Sequence, residues 1–201
     1  AKDAPPVPTA VVHPADLNSL EGAIEAAEAD IIIPYLVGPE KKIRAVAEAG
    51  GLDLRDYVII NTEHSHDSAE KAVKMAQCGE VHALMKGSLG TSELLGAVVS
   101  KTGGLRTENR LSHVFVMDVP SYHKTLFITD AAINIAPTLM EKRDILQNAI
   151  DCAHALGVDL PKAAILSAVE KVKPNIQSTL DAAALCKMMD RGQLTGAIVD
   201  G

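Results

Sequence analysis

The stretch VHALMKGSLGTSELLGAVVSK, Val81 to Lys101, decides the fold. Val81 to Met85 reads as a short buried strand. Thr91 to about Lys101 reads as a helix, because Leu94, Leu95, Val98 and Val99 recur on one helical face. Between them Gly87 and Gly90 bracket a tight turn. A strand that passes through a glycine turn into an amphipathic helix is one half of a crossover unit. Such units build parallel sheets covered by helices.

The same alternation runs outward in both directions. Upstream, Val11-Val12, Asp30 to Val37 and Tyr57 to Thr62 read as buried strands. The Ala/Glu-rich segment to about Ala29 reads as a helix capped by Asn18 or Ser19. A second helix starts near Pro39 and stops at Gly50-Gly51. A third places Ala69, Ala72, Val73 and Ala76 on one face. Downstream, His113 to Val119 and Thr125 to Thr129 are two strands with Pro120-Ser121 between them, too close for a parallel crossover. A helix follows over about Thr138 to Leu156. Then come a strand over Ala163 to Ala168, a helix ending near Gly192, and a strand over Thr195 to Val199. The expected class is α/β, with two α/β/α domains of largely parallel sheet. The alternation breaks near Asp118 to Lys124, so the expected domains are 1–119 and 120–201. The final apolar strand ends at Asp200-Gly201 without a covering helix. The second domain is therefore expected to be incomplete, and the sequence to be part of a longer protein.

Composition narrows the function classes. Of the 201 residues, 47% are apolar and 22% charged, enough for a packed core and against disorder. Three Tyr, two Phe and no Trp leave Ala, Val, Ile and Leu to fill that core. They also leave few platforms for stacking bases, and 19 basic against 26 acidic side chains give a net charge of −7, opposite to the sign a nucleic-acid binder needs. Cys78, Cys152 and Cys186 are odd in number and widely spaced, which argues against a disulfide framework and for a reducing compartment. No stretch has the apolar length of a membrane span, and the start AKDAPPVPTA has no signal-like apolar core.

Three groups of residues could carry chemistry. The turn LMKGSLGT, Leu84 to Thr91, sits where ligands of parallel sheets bind, outside the strand's carboxyl end. Gly87 lets backbone N–H groups approach a ligand, Ser88 and Thr91 add hydroxyl donors, and the helix start favours an anion. The same residues also suit an ordinary glycine turn with Thr91 as N-cap. In TGGLRTENRLSH, Arg106 and Arg110 follow a double glycine, and guanidinium forks suit phosphate oxygens. The alternative is a solvated loop with a salt bridge to Glu108. Asp130 and Asn134, in ITDAAIN, follow a strand end and could either position a substrate or cap the turn. Glu63, His64, His66 and Asp67 lack a third ligand at metal-binding spacing. Asp67 reads as a helix cap, and no metal is expected.

Taken together these stretches resemble the phosphate acetyltransferase / phosphate butyryltransferase family. TAVVHPAD, PYLVGPEKKI and VIINTEHSHDSAEKAV resemble its N-terminal region. LMKGSLGTSELLGAVV followed by GGLRTENRLSHVFVMDVP is the most specific match, and FITDAAINIAPTL and TGAIVDG continue it. The resemblance implies reversible acyl transfer between coenzyme A and phosphate, with CoA a substrate and no cofactor. It implies two domains flanking a cleft, similar to isocitrate and isopropylmalate dehydrogenases, with the first domain completed by helices beyond this chain. It implies a cytoplasmic homodimer or larger assembly, binding acyl-CoA and phosphate but neither nucleic acid nor membrane. It also implies that the catalytic residues, a Ser-Arg pair and an Asp, lie beyond the VDG that closes this chain. Gly87, Ser88, Thr91, Arg106 and Arg110 are the expected substrate contacts, with Asp130 and Asn134 as positioning residues. The rival readings are a non-catalytic CoA- or phosphate-binding module, an acyl-carrier-protein-dependent phosphate acyltransferase, and a metal- and NAD-dependent decarboxylating dehydrogenase.

Overall fold

The structure, a computed structural model, describes residues 4–201. It separates into two compact units, one ending at Arg106 and one spanning Thr107–Gly201.

The first unit runs β1 (Val7–Val12), α1 (Leu17–Glu28), β2 (Ile32–Gly38), α2 (Glu40–Gly50), β3 (Val58–Asn61), α3 (Ser65–Gln77), β4 (Ala83–Lys86) and α4 (Thr91–Val98). Its four strands are all parallel, in the order β3-β2-β1-β4. β1 lies between β2 and β4 and is buried on both faces from Thr9 on, which is why Ala10, Val11 and Val12 are consecutive apolar residues rather than an alternation. Ala10 and Val12 pack with Ala69, Ala72 and Met75 of α3 and Leu94 of α4. Val11 points the other way, onto Leu20, Ala23 and Ile24 of α1 and Ile43 and Ala47 of α2. Two cores thus sandwich one sheet.

The helix ends differ from the sequence expectation at two places. α1 is capped by Asp16, not by Asn18 or Ser19, because the Asp16 carboxylate accepts the Ser19 N–H at 2.8 Å. α4 stops at Val98, short of Lys101. There the chain folds back on itself: Leu105 N–H donates to Val98 O at 2.7 Å, and a Cβ on Gly104 would lie 2.4 Å from that same oxygen. Only a glycine admits so close a return.

The second unit comprises β5 (Val114–Met117), β6 (Leu126–Thr129), α5 (Leu139–Ala155), β7 (Lys162–Ala164), α6 (Gln177–Asp190) and β8 (Ile198–Asp200). β5 and β6 form an antiparallel hairpin. The compact units meet at Arg106 and Thr107, where the expected domain boundary was 119, and the β5–β6 hairpin lies wholly within the second unit. β7 and β8 are parallel, and α6 lies between them in sequence. Leu146 and Ile150 of α5 pack on Leu185 of α6 and on Leu194. The start of α5 is fixed by a reciprocal cap: Thr138 N–H donates to Glu141 Oε2 at 2.8 Å and Glu141 N–H returns a bond to the Thr138 hydroxyl at 3.4 Å. Among the described residues no helix is long and apolar enough to cross a membrane.

Candidate functional site

The strand order of the first unit creates a switch point. From β1 the chain moves through α1 to β2 and then through α2 to β3, on one side of the sheet. β4 then returns to the opposite edge of β1. α1 and α2 cover one face, α3 and α4 the other. The connections leaving β1 and β4 therefore diverge, which makes the carboxyl ends of these two strands the topological switch point of the sheet. The residues there are His13, Pro14 and Asp16 after β1, and Gly87, Ser88 and Thr91 after β4.

Gly87 and Ser88 do not offer their amides to a ligand at that point. Gly87 N–H donates to Val12 O at 2.8 Å, and Ser88 N–H to His13 O at 2.9 Å. The Ser88 hydroxyl also donates to His13 O at 2.9 Å and accepts from Ala15 N–H at 3.2 Å. A Cβ on Gly87 would sit 2.6 Å from both the Val12 and His13 carbonyl oxygens. Gly87 is required by the neighbouring strand, and the expectation that its amide cradles an anion is corrected accordingly. Lys86 Nζ donates to the carbonyls of Gly87 and Leu89, each at 3.1 Å, so its charge faces the inside of the turn. Gly90, not Thr91, is the N-cap of α4, and Thr91 is its first residue. The N–H groups of Thr91 and Ser92 have no acceptor within the helix and mark its positive end.

His13 is the group that sequence reasoning missed. It holds φ at 57°, in the left-handed region that side-chain-bearing residues seldom adopt. Its N–H donates to Val37 O at 2.7 Å, and its carbonyl takes the bonds from Ser88. Its Nδ1 lies 3.2 Å from the buried Ser68 Oγ, which in turn is 2.8 Å from Thr62 Oγ1 and donates to His64 O at 2.9 Å. Burial foremost, then the charge of Lys42, push the imidazole below its ordinary pKa, against the pull of Glu93. Glu93, in the first turn of α4, lies with Oε1 2.5 Å from His66 Nδ1. The Ser65 hydroxyl foremost, helped by the charge of His66 and outweighing desolvation, holds the Glu93 carboxyl below its ordinary range. Beside this pair an open groove of about 690 Å³ runs between α3 and α4, bordered by Glu70, Lys74, Gln77 and Gly96. Asp67 Oδ2 accepts His64 N–H at 3.0 Å at the start of α3. The histidine–acid cluster of the sequence is thus divided between a helix cap and the Glu93 pair.

In the second unit three of the expected site residues come together. Arg110 Nε donates to Asn134 Oδ1 at 2.5 Å, and its Nη1 pairs with Glu141. Asn134 donates one amide hydrogen to Leu111 O at 3.1 Å and the other to Asp130 Oδ2. Asp130 accepts the backbone N–H groups of Ala132, Ile133 and Asn134 at 3.0 to 3.2 Å. Desolvation would raise the Asp130 pKa. The Asn134 amide and these three N–H groups outweigh it and hold the carboxyl below its ordinary range. Asp130 therefore shapes the loop and Asn134 steers the guanidinium. Asn134 has both amide hydrogens and its carbonyl engaged, so it acts on a ligand only through Arg110. The Nη2 edge of Arg110 makes no hydrogen bond or ion pair among the described residues, and the side chain is 48% exposed. Glu141, which the sequence reading did not single out, serves both as helix cap and as partner of Arg110. Arg106 closes the first unit and has no hydrogen-bond or ion-pair partner among the described residues.

A four-stranded parallel sheet with a switch point, and in the second unit a guanidinium with one open edge, define an α/β protein. The sequence profile described as "Phosphate acetyl/butaryl transferase" matches residues 62–201. The phosphate acetyltransferase of Rickettsia felis is 58% identical over 197 residues, which are 98% of this chain and 56% of that protein. The phosphate acetyltransferase of Rhizobium meliloti is 57% identical over 98% of this chain and 62% of its own length. The phosphate butyryltransferase of Clostridium beijerinckii is 40% identical over the whole of this chain and 66% of its own. A branched-chain phosphotransacylase from Enterococcus faecalis has the same fold, with a TM-score of 0.76 at 24% identity, over 96% of this chain and 67% of that one. The chain belongs to the phosphate acetyl/butyryl transferase family. It spans a little over half the length of the Rickettsia relative.

Proposed function

We propose that this chain is part of an enzyme that moves a short acyl group reversibly between coenzyme A and phosphate. In one direction a phosphate oxygen attacks the thioester carbonyl, giving acyl phosphate and CoA. Both reactants are anionic, so fixed cations and helix N-termini aid their encounter and stabilise the oxyanion that develops on the carbonyl. The observation that carries the reading is Arg110, held on one edge by Asn134 and Glu141 with its Nη2 edge open. Such a fork suits two oxygens of phosphate or of a CoA phosphate. Thr91 and Ser92 at the start of α4, and the unpaired Arg106, are the further contacts we assign. The roles of Gly87 and Ser88 are to shape the turn that presents them. Asp130 and Asn134 position Arg110.

The finer picture is part of the same proposal. The enzyme would be a cytoplasmic homodimer or larger assembly without a cofactor. The acyl group would be acetyl rather than butyryl, since identity to the phosphate acetyltransferase of Rickettsia felis is 58% against 40% for the butyryltransferase of Clostridium beijerinckii.

The test is arsenolysis of acetyl-, propionyl- and butyryl-CoA by the 201-residue chain and by a longer protein containing it. Turnover is expected of the longer protein, with acetyl-CoA preferred, and not of the 201-residue chain alone. Arg110→Ala should raise the KM for phosphate or for CoA by about ten- to a hundredfold, the worth of a charged hydrogen bond. Absence of turnover in the longer protein would overturn the reading. Unchanged KM values for both substrates would remove Arg110 from the site.

A further inference from the structure

We propose that Asp144 and Asn148 of α5 are positioning residues for the acyl transfer, holding the main chain of Arg110 so that its guanidinium stands ready for an anionic substrate. The proposal rests on the reading that Arg110 contacts phosphate or a CoA phosphate, and it names what keeps that contact in place.

The need arises in the local chain. Arg110 lies in the irregular segment ahead of β5, and among the described residues neither its N–H nor its carbonyl has a main-chain partner. A guanidinium on such a segment is free to move twice over, through its backbone and through its long side chain. A substrate that had to still both motions would lose affinity in doing so.

Helix α5 supplies what the segment lacks. Glu141, Asp144 and Asn148 are spaced i, i+3 and i+7, along one face of the helix. Glu141 pairs with Arg110 Nη1. Asp144 Oδ2 accepts the Arg110 N–H at 3.1 Å, and Asn148 Nδ2 donates to the Arg110 carbonyl at 2.7 Å. The direction of both main-chain bonds is settled, since a backbone N–H can only donate and a backbone carbonyl can only accept. Asn148 Nδ2 also donates to Ser112 Oγ at 2.9 Å, which ties the segment down two residues further on. Asp144 is fixed in turn. Its side chain is 13% exposed, and Arg143 Nε donates to its other oxygen, Oδ1, at 2.9 Å.

With Asn134 on Nε at 2.5 Å, four side chains from 24 to 38 positions away converge on one residue. They engage its N–H, its carbonyl, Nε and Nη1, and they leave Nη2. A surface ion pair with Glu141 needs none of the main-chain bonds and contributes little by itself. Fixing the backbone as well gains something only if the place of the guanidinium matters closely, as it does for a group that must meet an oxyanion without reorganising.

The experiment measures kcat and the KM values for phosphate and acetyl-CoA in the longer protein. The variants are Asp144→Ala, Asp144→Asn and Asn148→Ala, each with and without Arg110→Ala. Both single Ala variants should raise the same KM that Arg110→Ala raises, by about three- to tenfold, the worth of one hydrogen bond, with kcat within about twofold. Asp144→Asn keeps an acceptor for the Arg110 N–H and should recover most of the loss. On the Arg110→Ala background neither Ala variant should raise that KM further. Parent KM values in both Ala variants, an equal rise with and without Arg110, or no recovery in Asp144→Asn would each overturn the proposal. Amide exchange of the unsubstituted protein needs no variant to fold. The Arg110 amide should exchange more slowly than that of Glu108 two residues earlier, and equal rates would overturn the proposal as well. If Arg110→Ala changes neither KM, the substrate reading of Arg110 and the clamp fail together. If Arg110→Ala acts and the two α5 variants do not, the clamp alone fails.

Discussion

Gly87→Ala should damage the fold before it touches any ligand. The added Cβ would lie 2.6 Å from two backbone carbonyl oxygens, those of Val12 and His13, and neither can swing aside as a side chain could. The β4 turn must move off β1. That overpacking costs about 1–3 kcal/mol. The move also stretches the bonds from Gly87 N–H to Val12 O at 2.8 Å and from Ser88 N–H to His13 O at 2.9 Å. Each is worth about 1 kcal/mol. The total is about 3–5 kcal/mol, a large part of a small unit's stability. With a urea slope of about 1–2 kcal/mol/M for a unit of this size, the midpoint should fall by more than about 1 M. Urea unfolding followed by circular dichroism measures the shift. Amide exchange at Val11 and Val12 of β1 assigns it to the first unit. The opposite outcome would be an unchanged midpoint together with lost phosphate binding. That would mean the glycine makes room for a ligand, and the carbonyl-contact argument would be wrong.

Gly96→Ala is the contrasting substitution. A Cβ there meets nothing within 4 Å, and the residue is inside α4, so stability should rise by about 0.5–1 kcal/mol in the same urea experiment. A fall in midpoint would show that the α3–α4 groove needs that bare position. The Asp130 loop should be acid-sensitive. Its carboxyl sits below the ordinary 3.8, so its contribution is complete above that pH and disappears as pH falls through the lower folded value. NMR signals of Ala132, Ile133 and Asn134 should broaden or shift in that acid window. They should show no such transition in Asp130→Asn, and signals that stay fixed to still lower pH would refute the assignment.

The strand and helix order was legible because the physics is local. Apolar runs such as Val11-Val12 and Asp30 to Val37 announce strands, and the stripe at Leu94, Leu95 and Val98 announces a helix lying on them. Asp130, Asn134 and Arg110 were each visible as polar residues at element ends. That they form one array with Glu141 was not, since the partners lie 24 and 31 positions from Arg110 and no spacing rule joins them. The close strands Val114–Met117 and Leu126–Thr129 were legible as neighbours, and the compact units meet at Arg106 and Thr107, upstream of the expected 119, so that this hairpin lies within one unit.

Sequence alone determined that this is an α/β chain with a glycine turn at a strand end, and which residue types could meet an anion. Tertiary structure decided which of them are free to do so. The amides of Gly87 and Ser88 are taken by the strand beside them, while the Nη2 edge of Arg110 has no partner among the described residues. Backbone donors look alike in any glycine-rich stretch. Which acceptor claims them depends on the strand brought alongside, and for β4 that strand lies some 70 residues earlier in the chain.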